Sequence, residues 1–167
     1  MRAWMFRGVM TDALGVLGAI RGRTGKSWTQ GIPDDSILRF SEIDPALCIA
    51  IEEASVNFES LLSDFGETIF SMDEKSMINE VQSDFVNFYS PETVNPYVAL
   101  AAKGPWIITT HGAVVHDNGG YGMLGMGHGP EDIIMAMQNN WVMANVMTPS
   151  LSQKTVSYTH LTLPTKA

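Results

Sequence analysis

The chain has 167 residues, 18 acids against 10 Lys+Arg, a net charge of −8, and is 45% hydrophobic but only 17% charged. This length fits one domain able to bury about two-thirds of its unfolded surface, and the low charge with a normal apolar fraction excludes wholesale disorder. No run approaches ~18 uninterrupted apolar residues, which argues against a membrane span, and the lone Cys48 excludes an intramolecular disulfide framework and a cysteine-rich zinc site.

The charge is segregated. Residues 1–33 hold five basic residues and one acid, residues 34–92 fourteen acids and two basic residues, and residues 93–167 three of each. The zones read as a basic N-terminal extension, an acidic helical segment and a neutral third segment. The basic start is small and lacks interleaved aromatic residues, so no nucleic-acid partner is expected.

In the first zone the apolar stretch after Arg2 suggests a secretory signal, but Arg7 and Asp12 interrupt the core that such a signal needs. A disordered or loosely packed extension is expected instead. Gly25-Lys26-Ser27 ends like a phosphate-binding P-loop, yet the position of that motif's first glycine holds Ile20, which disfavours the positive φ required. Gly22 to Ser27 therefore reads as a flexible basic turn.

In the acidic zone Asp44-Pro45 predicts a helix start, with Asp44 capping and Pro45 at the first helical position. Leu47, Ile51, Ala54, Phe58, Leu61, Leu62 and Phe65 follow as one apolar stripe, and Gly66 marks the stop, giving a helix over 45–65. Ser71-Met72-Asp73-Glu74 fits a capping box for a second helix over 74–89, whose face is Ile78, Val81, Phe85, Phe88 and Tyr89. Ser90-Pro91 ends it. The pairs Glu52/Glu53 and Asp73/Glu74 are adjacent on helices and do not face each other, so they read as solvated acids rather than a catalytic dyad.

In the third zone Trp106 to Thr110 and Ala113 to Asp117 are β-rich runs separated by His111-Gly112, which predicts a hairpin over 106–117 with Gly112 at positive φ. Eight of the fifteen glycines lie between 104 and 129, a density that allows close backbone approach to a ligand or partner. Pro130 with Glu131 and Asp132 opens a helix over 130–140 with Ile133, Ile134, Met137 and Trp141 on its apolar face. His111, His116 and His128 lack a metal-ligand spacing; His111 reads as a turn residue and His128 as a hydrogen-bonded packing residue. Six of the eleven methionines fall in 123–147, as in a soft core or interface.

The order of hairpin, Asp117, Gly119-Gly120-Tyr121, Gly127-His128 and Pro130 opening a helix resembles the class III aminotransferases over roughly residues 95–154. The resemblance implies a cytoplasmic, homodimeric transferase of fold type I, an α/β fold with a mostly parallel seven-stranded sheet. It implies pyridoxal 5'-phosphate as cofactor of the intact protein, with a small-molecule amino donor (an amine or amino acid) and a 2-oxo acid as substrates. Gly119, Gly120 and Tyr121 would line the substrate entrance, and His128 and Pro130 would be structural. For the present residues the expectation is a truncated fragment, an incomplete α+β domain of helices plus a β-hairpin, with no metal.

Val156 to Thr165 resembles a translated transposon-end sequencing adapter, so residues 155–167 are expected to be an artefactual tail and the family segment to run over 93–154. On that reading the phosphate-binding turn, the aspartate facing the pyridine nitrogen and the Schiff-base lysine all follow Lys154. None of Lys26, Lys75, Lys103, Lys154 or Lys166 is then the catalytic lysine, and the fragment itself is inactive. The alternative is a non-enzymatic α+β interaction domain in which the glycine-rich loop serves packing alone.

Overall fold

The computed structural model describes residues 12–83, 96–118 and 125–138. Helix α1 (Ala13–Arg21) is capped by Asp12, whose carboxylate accepts the Gly15 N–H. Helix α2 (Asp34–Ile43) leads through Asp44 into the long α3 (Pro45–Phe65), followed by the short α4 (Glu67–Ser71) and by α5 (Glu74–Gln82). Strands β1 (Ala99–Lys103), β2 (Trp106–Thr109) and β3 (Val114–His116) form one antiparallel meander, and α6 (Glu131–Met137) comes last. The architecture is mixed α+β, with α3 packed along β1 and β2 and flanked by α1 and α2.

The local signals act as their chemistry requires. Asp44 accepts the Ala46 N–H at the start of α3, Pro45 occupies the first turn, and Gly66 ends the helix at φ 78°. The hairpin forms with Ile107 opposite Val115 and Ile108 opposite Val114, and Gly112 takes φ 71° in its turn. Central strand β2 buries all four of its residues, as a strand covered on both faces does.

Several expectations need correction. The first zone is no loose extension over its described part: α1 inserts Ala13, Leu17 and Ile20 into the same core as Ile51 and Phe58 of α3 and Ile108 of β2. The compositional zones thus share one core. Leu17 is 0% exposed, so Leu17→Ala is expected to cost about 2–5 kcal/mol in a denaturant melt. A change within roughly 0.5 kcal/mol, the scale of a neutral surface substitution, would instead make this segment an appendage.

The turn at 22–27 is not a free one either. Gly25 N–H donates to Phe70 O at 3.0 Å, and the Glu74 N–H donates to Lys26 O at 3.0 Å. A Cβ on Gly25 would lie 2.1 Å from Met72 O, so glycine here permits close backbone approach rather than flexibility. Ile20, at the would-be P-loop glycine, is a core residue of α1.

The capping box at Ser71 does not form. The cap of α5 is Asp73, which accepts the Ser76 N–H and hydroxyl, while Glu74 is buried and turned to another task. Phe65 ends the α3 stripe 65% exposed, so the stripe's last residue does not join the core. Helix α6 buries none of its residues: Ile134, Met135 and Met137 are exposed, as is Met126. Phe85, Phe88, Tyr89, Ser90, Pro91 and Trp141 lie outside the described residues, as do residues 155–167.

Candidate functional site

The three residues expected at the substrate entrance, Gly119, Gly120 and Tyr121, lie outside the described residues. What flanks them on both sides is described. Asp117 ends the hairpin, with its N–H donating to Pro105 O at 2.7 Å. His128, on the far side of the glycine-rich loop, brings Nε2 to 3.0 Å from Asp117 Oδ2. Its backbone pairs with Gly104, N–H to O in both directions at 2.7 and 3.0 Å. Gly127 makes this approach possible, since its φ is 73° and a Cβ there would lie 2.9 Å from the Gly104 backbone. The packing role expected of His128 is therefore the one it plays.

Two further contacts fasten the same corner. Lys103 Nζ donates to Gly129 O at 3.1 Å and pairs with Glu131 Oε1 at 2.9 Å, tying β1 to the first turn of α6. Tyr97 lies close enough to feel Asp117: burial chiefly, then that carboxylate, pushes its phenol above the usual range. The corner is thus a clasp that holds Asp117 and His128, which flank the glycine-rich stretch in sequence, together. Asp117 and His128 both stand in the motif that carries the resemblance, whereas nothing local in the sequence links Lys103 to Glu131.

A second constellation lies at the other end of the hairpin, at its turn. A cleft of about 400 Å³ is lined by residues of the 24–34 segment together with Arg21, His111, Gly112 and Ala113. Arg21 Nε donates to Gly112 O at 3.0 Å, and its Nη1 pairs with Asp34 at 2.8 Å. His111 is a turn residue, as expected, but a buried one: Nε2 is 3.0 Å from Met72 O and Nδ1 is 3.2 Å from Thr110 Oγ1.

Glu74 is the residue that sequence reasoning missed. Taken as a solvated acid, it is 0% exposed. Its Oε2 accepts the N–H groups of Trp28 and Thr29 at 2.6 Å each, and its Oε1 accepts the Thr29 hydroxyl at 2.9 Å. Burial pushes its carboxyl up, but the Thr29 and Trp28 N–H groups, the Thr29 hydroxyl and the field of His111 outweigh that and hold it below the ordinary glutamate range.

Among the described residues every buried side-chain nitrogen or oxygen has a hydrogen-bond partner, and no group of three His, Cys, Asp or Glu is placed to hold a metal ion. His116 packs edge-on against Trp106 at 4.7 Å between ring centroids. Burial first, then Glu52 and Asp44, raise the Cys48 thiol above its usual range, which makes it a poor nucleophile. No described helix is long and apolar enough to cross a membrane.

Pyridoxal phosphate needs a lysine amine and an anion-binding turn. Lys103 is committed to Glu131 and Gly129, the Lys75 ammonium sits 4.0 Å over the Trp28 ring, and no lysine lines the cleft. The described residues therefore do not fit that cofactor, and no catalytic step is derived through it.

No protein-family model matches the chain. No curated protein matches it, and no solved structure does.

Proposed function

We propose that residues 93–154 form the N-terminal segment of a class III pyridoxal-phosphate-dependent aminotransferase, an enzyme that moves an amino group from an amine or amino acid to a 2-oxo acid. One observation carries the reading: Asp117 at the end of the hairpin and His128 beyond the glycine-rich loop meet at 3.0 Å, just before Pro130 caps α6. Motif elements separated along the chain thereby converge into one clasp, on either side of the stretch Gly119 to Tyr121 that the resemblance places at a substrate entrance. The cofactor, the lysine that binds it and the α/β fold-type-I sheet would come from the rest of the intact homodimer. The exposed Ile134, Met135 and Met137 of α6 are in keeping with a face covered by further protein. Residues 155–167 belong to this proposal as an adapter-derived tail.

A second reading has its own support. The core is assembled from residues between Ala13 and Val114, with nothing contributed by α6. That suits a self-sufficient, non-enzymatic α+β interaction domain. The deciding experiment is expression of the uninterrupted gene. The aminotransferase reading expects a purified protein that keeps visible cofactor absorbance through dialysis and transfers amino groups to a 2-oxo acid, while the present 167-residue chain does neither. An uninterrupted gene that encodes no later lysine-bearing strand, or a product that remains colourless and inactive, would leave the interaction domain as the function.

A further inference from the structure

We propose that residues 24–32 are a releasable strap lining the cleft beside His111, and that Glu74 is the latch that holds the strap in place. The strap's main chain is fixed at its two ends: Gly25 N–H donates to Phe70 O at 3.0 Å, and Ile32 N–H donates to Val114 O at 2.8 Å. Between those ends a single side chain takes the bonds. Glu74 accepts from Trp28 and Thr29 N–H and from the Thr29 hydroxyl, and its own N–H donates to Lys26 O.

Little apolar burial assists the latch, since Lys26, Ser27, Trp28 and Gln30 are all exposed. A segment with few buried apolar contacts opens at lower free energy than the core it lies on. Thr24, Ser27, Thr29 and Gln30 of the strap line the cleft together with Arg21 and His111. His111, 2% exposed, borders the same cleft, so release of the strap would change the surroundings of its imidazole.

The charged groups around the latch come from each element packed against it. His111 faces it from the hairpin turn, Lys75 lies beside it on α5 over the Trp28 ring, Lys26 belongs to the strap, and Asp73 precedes it as the α5 cap. The Arg21–Asp34 pair lies beyond, among the cleft residues. The carboxyl of Glu74 is held below the ordinary glutamate range, so the latch stays closed at neutral pH and lets go as pH falls through that lowered value. Protonation replaces one acceptor oxygen by an O–H donor and removes the charge that strengthens the remaining bonds.

Hydrogen exchange on the full chain tests this, with protection at the Trp28 and Thr29 amides compared with Ile51 and Phe58 in α3. On acidification the strap amides are expected to lose protection by roughly tenfold or more, the scale on which losing charge-assisted bonds weakens a latch, while the α3 amides keep theirs. Glu74→Gln, which mimics the protonated form, should show that lowered strap protection already at neutral pH, with no further pH dependence. Loss of protection in strap and α3 together would overturn the proposal, as would a folded Glu74→Gln chain with strap protection unchanged. Should the variant fail to fold, the acid series of the unaltered chain decides alone.

Discussion

Trp106→Ala is expected to lower the unfolding free energy by about 3–5 kcal/mol, the range for truncating a large buried aromatic side chain. Trp106 is 1% exposed in the central strand. Its ring lies 5.1 Å from that of Phe40 and 4.7 Å from that of His116. Its indole N–H donates to Asp44 Oδ2 at 2.7 Å, while Asp44 Oδ1 caps α3. One side chain therefore joins the sheet, α2 and the start of α3. Trp106→Phe keeps much of the apolar contact but removes the donor to a carboxylate, and should cost about 1.5–3 kcal/mol. In that background Asp44→Ala should cost only the cap, about 1 kcal/mol. Circular dichroism in a denaturant series reads all three. A loss below roughly 1 kcal/mol for Trp106→Ala would mean that the contacts around β2 are not those described, because core truncations fall well above that.

Glu74→Ala is the second large effect, expected at about 2–4 kcal/mol because two backbone N–H groups and a threonine hydroxyl lose their acceptor at once. The loss is bounded by the strap's own opening energy, since α3 and the sheet can persist with the strap released. The sign of the pH dependence follows from the lowered carboxyl. The stabilisation from Glu74 is fully present above the ordinary glutamate range and disappears as pH falls through the lowered value. Thermal melts of the unaltered chain should therefore show acid destabilisation that the alanine variant largely lacks. Parallel pH profiles for the two proteins would show that Glu74 is not the group that couples stability to acid.

The clasp at Asp117 and His128 lies at the open end of the hairpin and the latch at Glu74 near its turn, and they differ in how they could be foreseen. Asp117, His128 and Pro130 stand in a motif whose order already suggests that they belong together. Glu74 stands in none. Its position just after a capping aspartate looks like any acid in a first helical turn, and its partners are backbone N–H groups that every residue but proline carries.

The elements that could be read along the chain are those whose cause is local. Asp44-Pro45 starts α3 and Gly66 stops it because a carboxylate near orphan N–H groups and a glycine at positive φ act within one turn. Gly112 turns the hairpin, and Pro130 opens α6, for the same kind of reason. Strand β1 was hidden, because Ala99, Ala101 and Ala102 have little strand preference of their own; pairing with β2 makes the strand, and the small side chains let α3 approach it. Helix α1 was hidden as well. Ala13, Leu17 and Ile20 have helical spacing, but Leu14 and Val16 blur the face, and a core assembled from Ile37 onward selects which side is buried. Glu74 is the extreme case: its partner Thr29 is 45 residues away, so its burial, its charge state and its role arise when α5 docks against the loop after α1. Short-range sterics and capping could be seen in the order of residues, whereas burial and long-range hydrogen bonding exist only after the chain has folded back on itself.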